Sequence, residues 1–228
     1  MKKVIRQMMH LMRVDFLFMV SSTNGYLRET GWLKSFWQKR PLSVEGKPIP
    51  WFTYSAIHFL EEKLNKSLTV FEYGSGGSTL WLSDRVASVT SIENDKVWFD
   101  LVSKNIPQNV NYVYVETGNI PYELAAFYPM NEGISLYSDK IYEFNRKFDI
   151  VIIDGIDRNN CVEPAINNLA LGGVIIFDNC EYRKEYEEGL QKLKDNNFRK
   201  IEFRGLSAGI KYETSTGFFY KDNNCLGI

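Results

Sequence analysis

Cysteine is scarce and histidine scarcer, with three and two residues among 228. Cys161, Cys180 and Cys225 are odd in number and show neither CxxC nor finger spacing. That excludes a disulfide framework and a zinc module, and predicts small core thiols in a reducing compartment. Of the two histidines, His10 and His58, only His58 falls in a helical stretch near the expected cleft, as a candidate base. No apolar run is long enough to span a bilayer. The stretch MKKVIRQMMHLMRVDFLFMV starts like a signal peptide, but His10, Arg13 and Asp15 interrupt its apolar core, so the chain is expected in the cytoplasm. A formal net charge of -1 gives no global field for nucleic acid, and no RNA-binding or finger motif compensates, so nucleic acid is not an expected partner. Internal repeats and low-complexity tracts are also absent.

Charge is present but uneven. Lys2, Lys3, Arg6, Arg13, Arg28, Lys34, Lys39, Arg40 and Lys47 face only Asp15, Glu29 and Glu45 in the first fifth of the chain. Such an arm suits an acidic substrate, an anionic membrane surface (peripheral contact) or an acidic patch of its own domain. The segment RPLSVEGKPIPW, 40–51, reads as an extended connector, because three prolines and a glycine oppose any regular element. The expected division is therefore an arm and connector, 1–50, followed by one domain, 51–228.

Within that domain Thr53 is placed to cap a helix that sets Ala56, Ile57, Leu60 and Leu64 on one face. Strand-like runs follow at Leu68–Tyr73, Ser88–Glu93, Val110–Glu116, Phe148–Asp154 and Gly173–Asp178. Helical stretches lie at Ser78–Arg85, Asp95–Ile106 and Tyr182–Asn196, with a helix-compatible RNNCVEPAINNLAL between the last two of those runs. Alternation of this kind predicts an α/β fold, a doubly wound and mostly parallel sheet with helices on both faces. RKIEFRGL and STGFFYK then come without a helix between them and should pair antiparallel.

The stretch VFEYGSGGSTLWLSDRVASVTSIEND carries the chemistry. Gly74, Gly76 and Gly77 follow a strand, where glycine lets the backbone approach a ligand. Glu93 ends the next strand about twenty positions later, the spacing at which a carboxylate meets both ribose hydroxyls. Glu72, directly before the glycines, disfavours a pyrophosphate at the helix N-terminus and favours a ligand with cationic groups, such as the ammonium and sulfonium of S-adenosylmethionine.

VFEYGSGGST with SIEND, then FDIVIIDG and GGVIIFDN, resembles the class I S-adenosylmethionine-dependent methyltransferases over about Trp51 to Lys221. GWLKSFWQKRPLSVEGKPIPWFTY is similar to the leader of a bacterial branch of that group, some members of which serve surface-polysaccharide synthesis. The third glycine of the family's loop falls at Ser78, so the loop is a variant. The resemblance implies a seven-stranded sheet with an antiparallel C-terminal strand, and S-adenosylmethionine as cofactor. It sets Glu72, Gly74, Ser75 and Gly76 at the methionine end, Glu93 on the ribose, Asn119 beside the adenine, and Asp154 against the cofactor. Asn119 reads equally as a turn residue before Pro121.

Asp154, Asp178 and Asn179 end adjacent strands at the same rim. Asp154 and Asp178 are the candidate catalytic carboxylates. With Asn179 they are similar to the magnesium triad of catechol-type O-methyltransferases, which implies Mg²⁺ or Ca²⁺. That group's lysine base has no counterpart, since its position is Asp157. Arg158 and Arg183 could bind an anionic acceptor. The aromatic stretch 117–147, with Tyr122, Phe127, Tyr128, Tyr137, Tyr142 and Phe144, reads as a lid or as an anchored loop. The expected activity is methyl transfer to a small hydroxyl-bearing acceptor, a small molecule or a glycan precursor. An aminopropyl transferase and a non-catalytic nucleoside-binding module are the alternatives.

Overall fold

The computed structural model describes residues 2–12, 25–117, 136–182 and 184–228. Helices α1 (Lys2–Leu11), α2 (Tyr26–Glu29) and α3 (Trp32–Gln38) precede the main body. There the order is α4 (Tyr54–Lys63), β1 (Thr69–Tyr73), α5 (Gly77–Ser83), β2 (Ser88–Glu93), α6 (Lys96–Ser103) and β3 (Val110–Tyr114). A 3-10 turn (Asp139–Phe144), β4 (Phe148–Ile153), α7 (Arg158–Asn167), β5 (Leu169–Asp178), α8 (Glu187–Asp195), β6 (Arg199–Gly205) and β7 (Thr214–Tyr220) complete it.

The seven strands form one sheet in the order β3-β2-β1-β4-β5-β7-β6. The first five are parallel, and β7 runs antiparallel to both β5 and β6. The strand runs are continuous in Val, Ile and Phe because both faces of the sheet are covered. Alternation then splits them into two cores. Val70, Ile150, Ile152, Val174, Ile176 and Phe218 face Ile57, Leu60 and Leu82 of α4 and α5. Phe71, Tyr73, Val151, Ile153, Ile175 and Phe177 face Cys161, Val162 and Leu193 of α7 and α8. All three cysteines are free thiols.

Local sequence explains the caps. Thr53 accepts from the Ala56 amide and Asp95 from that of Trp98, each satisfying a first-turn donor of its helix. The last helix begins at Glu187 rather than Tyr182. Its acids, Glu187 and Glu188, then lie in the first turn and Lys192 and Lys194 in the last, complementing the macrodipole from that start.

Residues 25–50 pack closely on the main body. Trp32 Nε1 donates to the Ile210 carbonyl and Trp51 Nε1 to that of Ala208, both on the β6–β7 connection. The connector holds one isolated bridge, Leu42 to Pro48, and passes over the start of α5. A Cβ on Gly77 would stand 2.4 Å from the Ile49 carbonyl oxygen, so only glycine fits beneath it.

Candidate functional site at the carboxyl edge of the sheet

β1 and β4 are neighbours whose following connections run to opposite sides, which makes the crevice beyond them the topological switch point. Gly74 leaves β1 with φ +86, and Gly155 follows β4. A Cβ on Gly74 would come within 2.9 Å of the Gly155 backbone. The missing side chain lets the two loops cross at contact distance.

Three carboxylates stand at this edge: Glu72 in β1, Glu93 closing β2 and Asp154 just after β4. Glu72 is buried, and its Oε2 accepts from Thr79 Oγ1 at 2.5 Å and Ser91 Oγ at 2.8 Å. Its Oε1 is buried and has no hydrogen-bond partner among the described residues. Burial pushes its pKa up to about 7, against the hydroxyls of Ser78, Thr79 and Ser91, which act the other way. A buried carboxylate with one oxygen unpartnered is costly, which makes Glu72 a candidate functional residue.

Glu93 accepts the Asn94 and Asp95 amides on Oε1, both at 2.9 Å, and the Ser75 hydroxyl on Oε2 at 2.7 Å. Tyr112 lies 2.7 Å from the same Ser75 oxygen, so hydroxyl donates to hydroxyl and then to carboxylate. Burial raises the Glu93 pKa, with the Asp95 amide and then Ser75 opposing it. Trp98 closes the loop from outside. Its Nε1 donates to the Ser75 carbonyl at 2.9 Å, and its ring would lie 3.3 Å from a Cβ on Gly76.

Arg158 departs most from expectation. Its guanidinium turns inward, donating to the carbonyls of Gly155, Asp178 and Asp154, to Asp154 Oδ1 at 3.0 Å and to Asn179 Oδ1 at 3.0 Å. It ties the ends of β4 and β5 together and is only 6% exposed, so it does not present itself to an acceptor. Asp178 is buried, and its Oδ1 accepts from Thr216 at 2.6 Å. Burial, then the nearby Asp154 charge, holds its pKa well above the usual range. It therefore braces β5 against β7 rather than reaching substrate. Asp154 keeps 23% of its side chain exposed. Desolvation raises its pKa while Arg158 pulls it down.

The Asp154, Asp178 and Asn179 set does not fit the expected divalent ion. An arginine cation already lies against Asp154 and Asn179, and Asp178 is turned to Thr216. A hard ion needs several free oxygens converging on one point. Among the described residues no three His, Cys, Asp or Glu side chains converge as metal ligands.

His58 is not at the edge at all: its side chain is 81% exposed, with Nδ1 3.8 Å from Glu61. His58→Gln is expected to leave ligand binding and turnover unchanged, to be checked by titration and initial rates. Tyr137 is buried and Phe144 packs on the core, so these two anchor the 117–147 stretch, while Tyr142 is exposed and its hydroxyl accepts from Asn167. The Tyr137 hydroxyl presses on Gly155 and finds no partner among the described residues. Asn119, Arg183, Tyr122, Phe127 and Tyr128 lie outside the described residues.

The polar frame of Thr79, Ser91, Tyr112 and Trp98 was the part hardest to find by sequence. Its one trace is register: Glu72 and Ser91 are partners on the parallel β1–β2 pair, which sets their side chains on the same face.

No family model matches the chain, and no curated protein sequence does. Solved structures do match. The precorrin 8w decarboxylase of Methanobacterium thermoautotrophicum aligns with a TM-score of 0.55 at 14% identity, over 81% of this chain and 97% of that one. A methyltransferase-like protein of Silicibacter pomeroyi aligns at 0.50 and 19% identity, over 77% and 90%. An rRNA methylase of Streptococcus thermophilus aligns at 0.50 and 13% identity, over 74% and 95%. The chain thus shares its seven-stranded α/β fold with solved structures that include a methylase and a methyltransferase-like protein.

Proposed function

We propose that the chain binds S-adenosylmethionine across the Gly74 loop and transfers its methyl group to a small hydroxyl-bearing acceptor, a glycan precursor being the acceptor class favoured. The observation that carries this reading is the trio Glu72, Glu93 and Asp154 around a backbone crossing that only glycines allow. An acidic rim repels a pyrophosphate and attracts a ligand bearing cations. Glu93 already accepts one hydroxyl, from Ser75, and a ribose diol presents the same donor type. Glu72 supplies negative charge beneath the loop for the amino acid end, and Gly74, Ser75 and Gly76 form the backbone wall; Asn119 is assigned to the adenine by resemblance alone.

When bound, this cofactor supplies a methyl group on a positive sulfur that leaves as a neutral thioether. The protein's part is then to align the acceptor oxygen and take its proton. Asp154 is the residue for that proton: it stands at the edge, retains exposure, and Arg158 fixes one of its oxygens. Asp178 serves by holding the frame behind it.

Isothermal titration with S-adenosylmethionine, its demethylated product and NAD tests the cofactor, and mass spectrometry over a panel of hydroxyl acceptors tests the reaction. Preference for NAD would defeat the reading, and binding without turnover would favour a nucleoside-binding module. Because Arg158 supplies the cation at the β4–β5 edge, turnover is expected to persist in excess chelator. Loss of turnover reversed by added Mg²⁺ would reinstate a metal.

A further inference from the structure

The first helix plays no part in that site. Its ten residues, KKVIRQMMHL, contain no acid. At 100° per residue, Val4, Ile5, Met8 and Leu11, with Met12 beyond the end, fall in one arc. All five are between 47% and 82% exposed, so the described main body does not cover them. By the same spacing Lys2, Arg6 and His10 belong to the other arc, and Arg13 follows them. A helix this short is marginal in water and needs its apolar face buried to persist.

We propose that this helix is an in-plane anchor that seats the protein on the surface of an anionic lipid bilayer. An apolar arc opposite a cationic one is the pattern of helices that lie at the headgroup level. The charge selects the occupant. Beyond residue 47 the chain carries net negative charge, so an anionic surface attracts the arm and repels the rest, fixing which side docks. A second copy seated on the apolar arc would leave the cationic arc turned outward with no acid to meet it, whereas an anionic surface uses both arcs. No helix among the described residues is long and apolar enough to cross a membrane.

The test is co-sedimentation of the full chain with phosphatidylcholine vesicles, with or without phosphatidylglycerol. Binding is expected only to the anionic vesicles, to fall as salt rises, and to drop at least tenfold in the double variant Met8→Glu, Leu11→Glu. Lys3→Ala alone should lower partitioning about fivefold. An unchanged thermal midpoint in each variant shows that the body stays folded. Should the double variant fail to fold, the Lys3→Ala series decides alone. No binding to anionic vesicles, equal binding of variant and parent, or a dimer lost in the double variant without any vesicle binding would each overturn the proposal.

Discussion

Glu72→Gln is expected to raise the unfolding free energy at pH 8 by about 3 kcal/mol and to leave it unchanged near pH 4. Glu72 is buried with one oxygen unpartnered, and its pKa in the fold rises to about 7 from the ordinary 4.5. The folded state therefore holds that proton through a window in which the unfolded chain has released it. Its contribution is fully present below about pH 4.5 and is lost as pH climbs through 7. A glutamine keeps the neutral form at every pH, so the difference between variant and parent opens across that window. Denaturant titrations of both proteins at stepped pH measure it. Parallel curves would mean that Glu72 is as easily ionised in the fold as in water.

The same substitution should weaken the proposed cofactor at pH 8. A cationic ligand favours the charged carboxylate, so binding releases the Glu72 proton, and parent affinity should fall by up to about tenfold per pH unit below 7. The variant should show a flatter profile. An anionic dinucleotide would give the opposite slope, tighter at low pH, so one titration series separates the two ligand classes. Gain of stability with loss of binding is the trade expected where a destabilised group is kept for function.

The fold was legible because it rests on periodicity. Buried parallel strands must read as apolar runs, and the antiparallel end followed from two strand runs with no helix between them. The carboxylates at the strand ends were legible too, since Glu72 and Glu93 sit where the register breaks into loops. Asp178 and Arg158 were not. Nothing in DNCEYR distinguishes an acid facing the cleft from one turned to Thr216, because that choice depends on β7, which pairs from 38 residues away. Arg158 follows a loop acid like any surface arginine. Its inward turn is set by three carbonyls converging from the β4 and β5 ends, a tertiary coincidence with no local pattern. The packing of residues 25–50 was hidden for the same reason: Trp32 and, just beyond the segment, Trp51 find their acceptors on the β6–β7 connection.

Glu93→Ala is expected to weaken S-adenosylmethionine binding by about 1.5–3 kcal/mol, a tenfold to hundredfold rise in Kd, the range for hydrogen bonds to a charged group. It should also cost about 1–3 kcal/mol of stability, because the Asn94 and Asp95 amides lose their acceptor. Two effects from one residue need a control that moves only one of them. Ser75→Ala supplies it. The Ser75 hydroxyl donates to the oxygen assigned to the ribose, so it competes for that acceptor with an incoming diol. Removing it leaves the two backbone amides on Glu93 and frees one oxygen, so cofactor affinity should hold or tighten while Glu93→Ala loses it. Calorimetric Kd values for both variants, beside their thermal midpoints, separate the roles. An unchanged Kd in Glu93→Ala would assign this carboxylate to the loop alone. Equal weakening in both variants would instead make Ser75 a contact of the ligand, with the carboxylate acting through it.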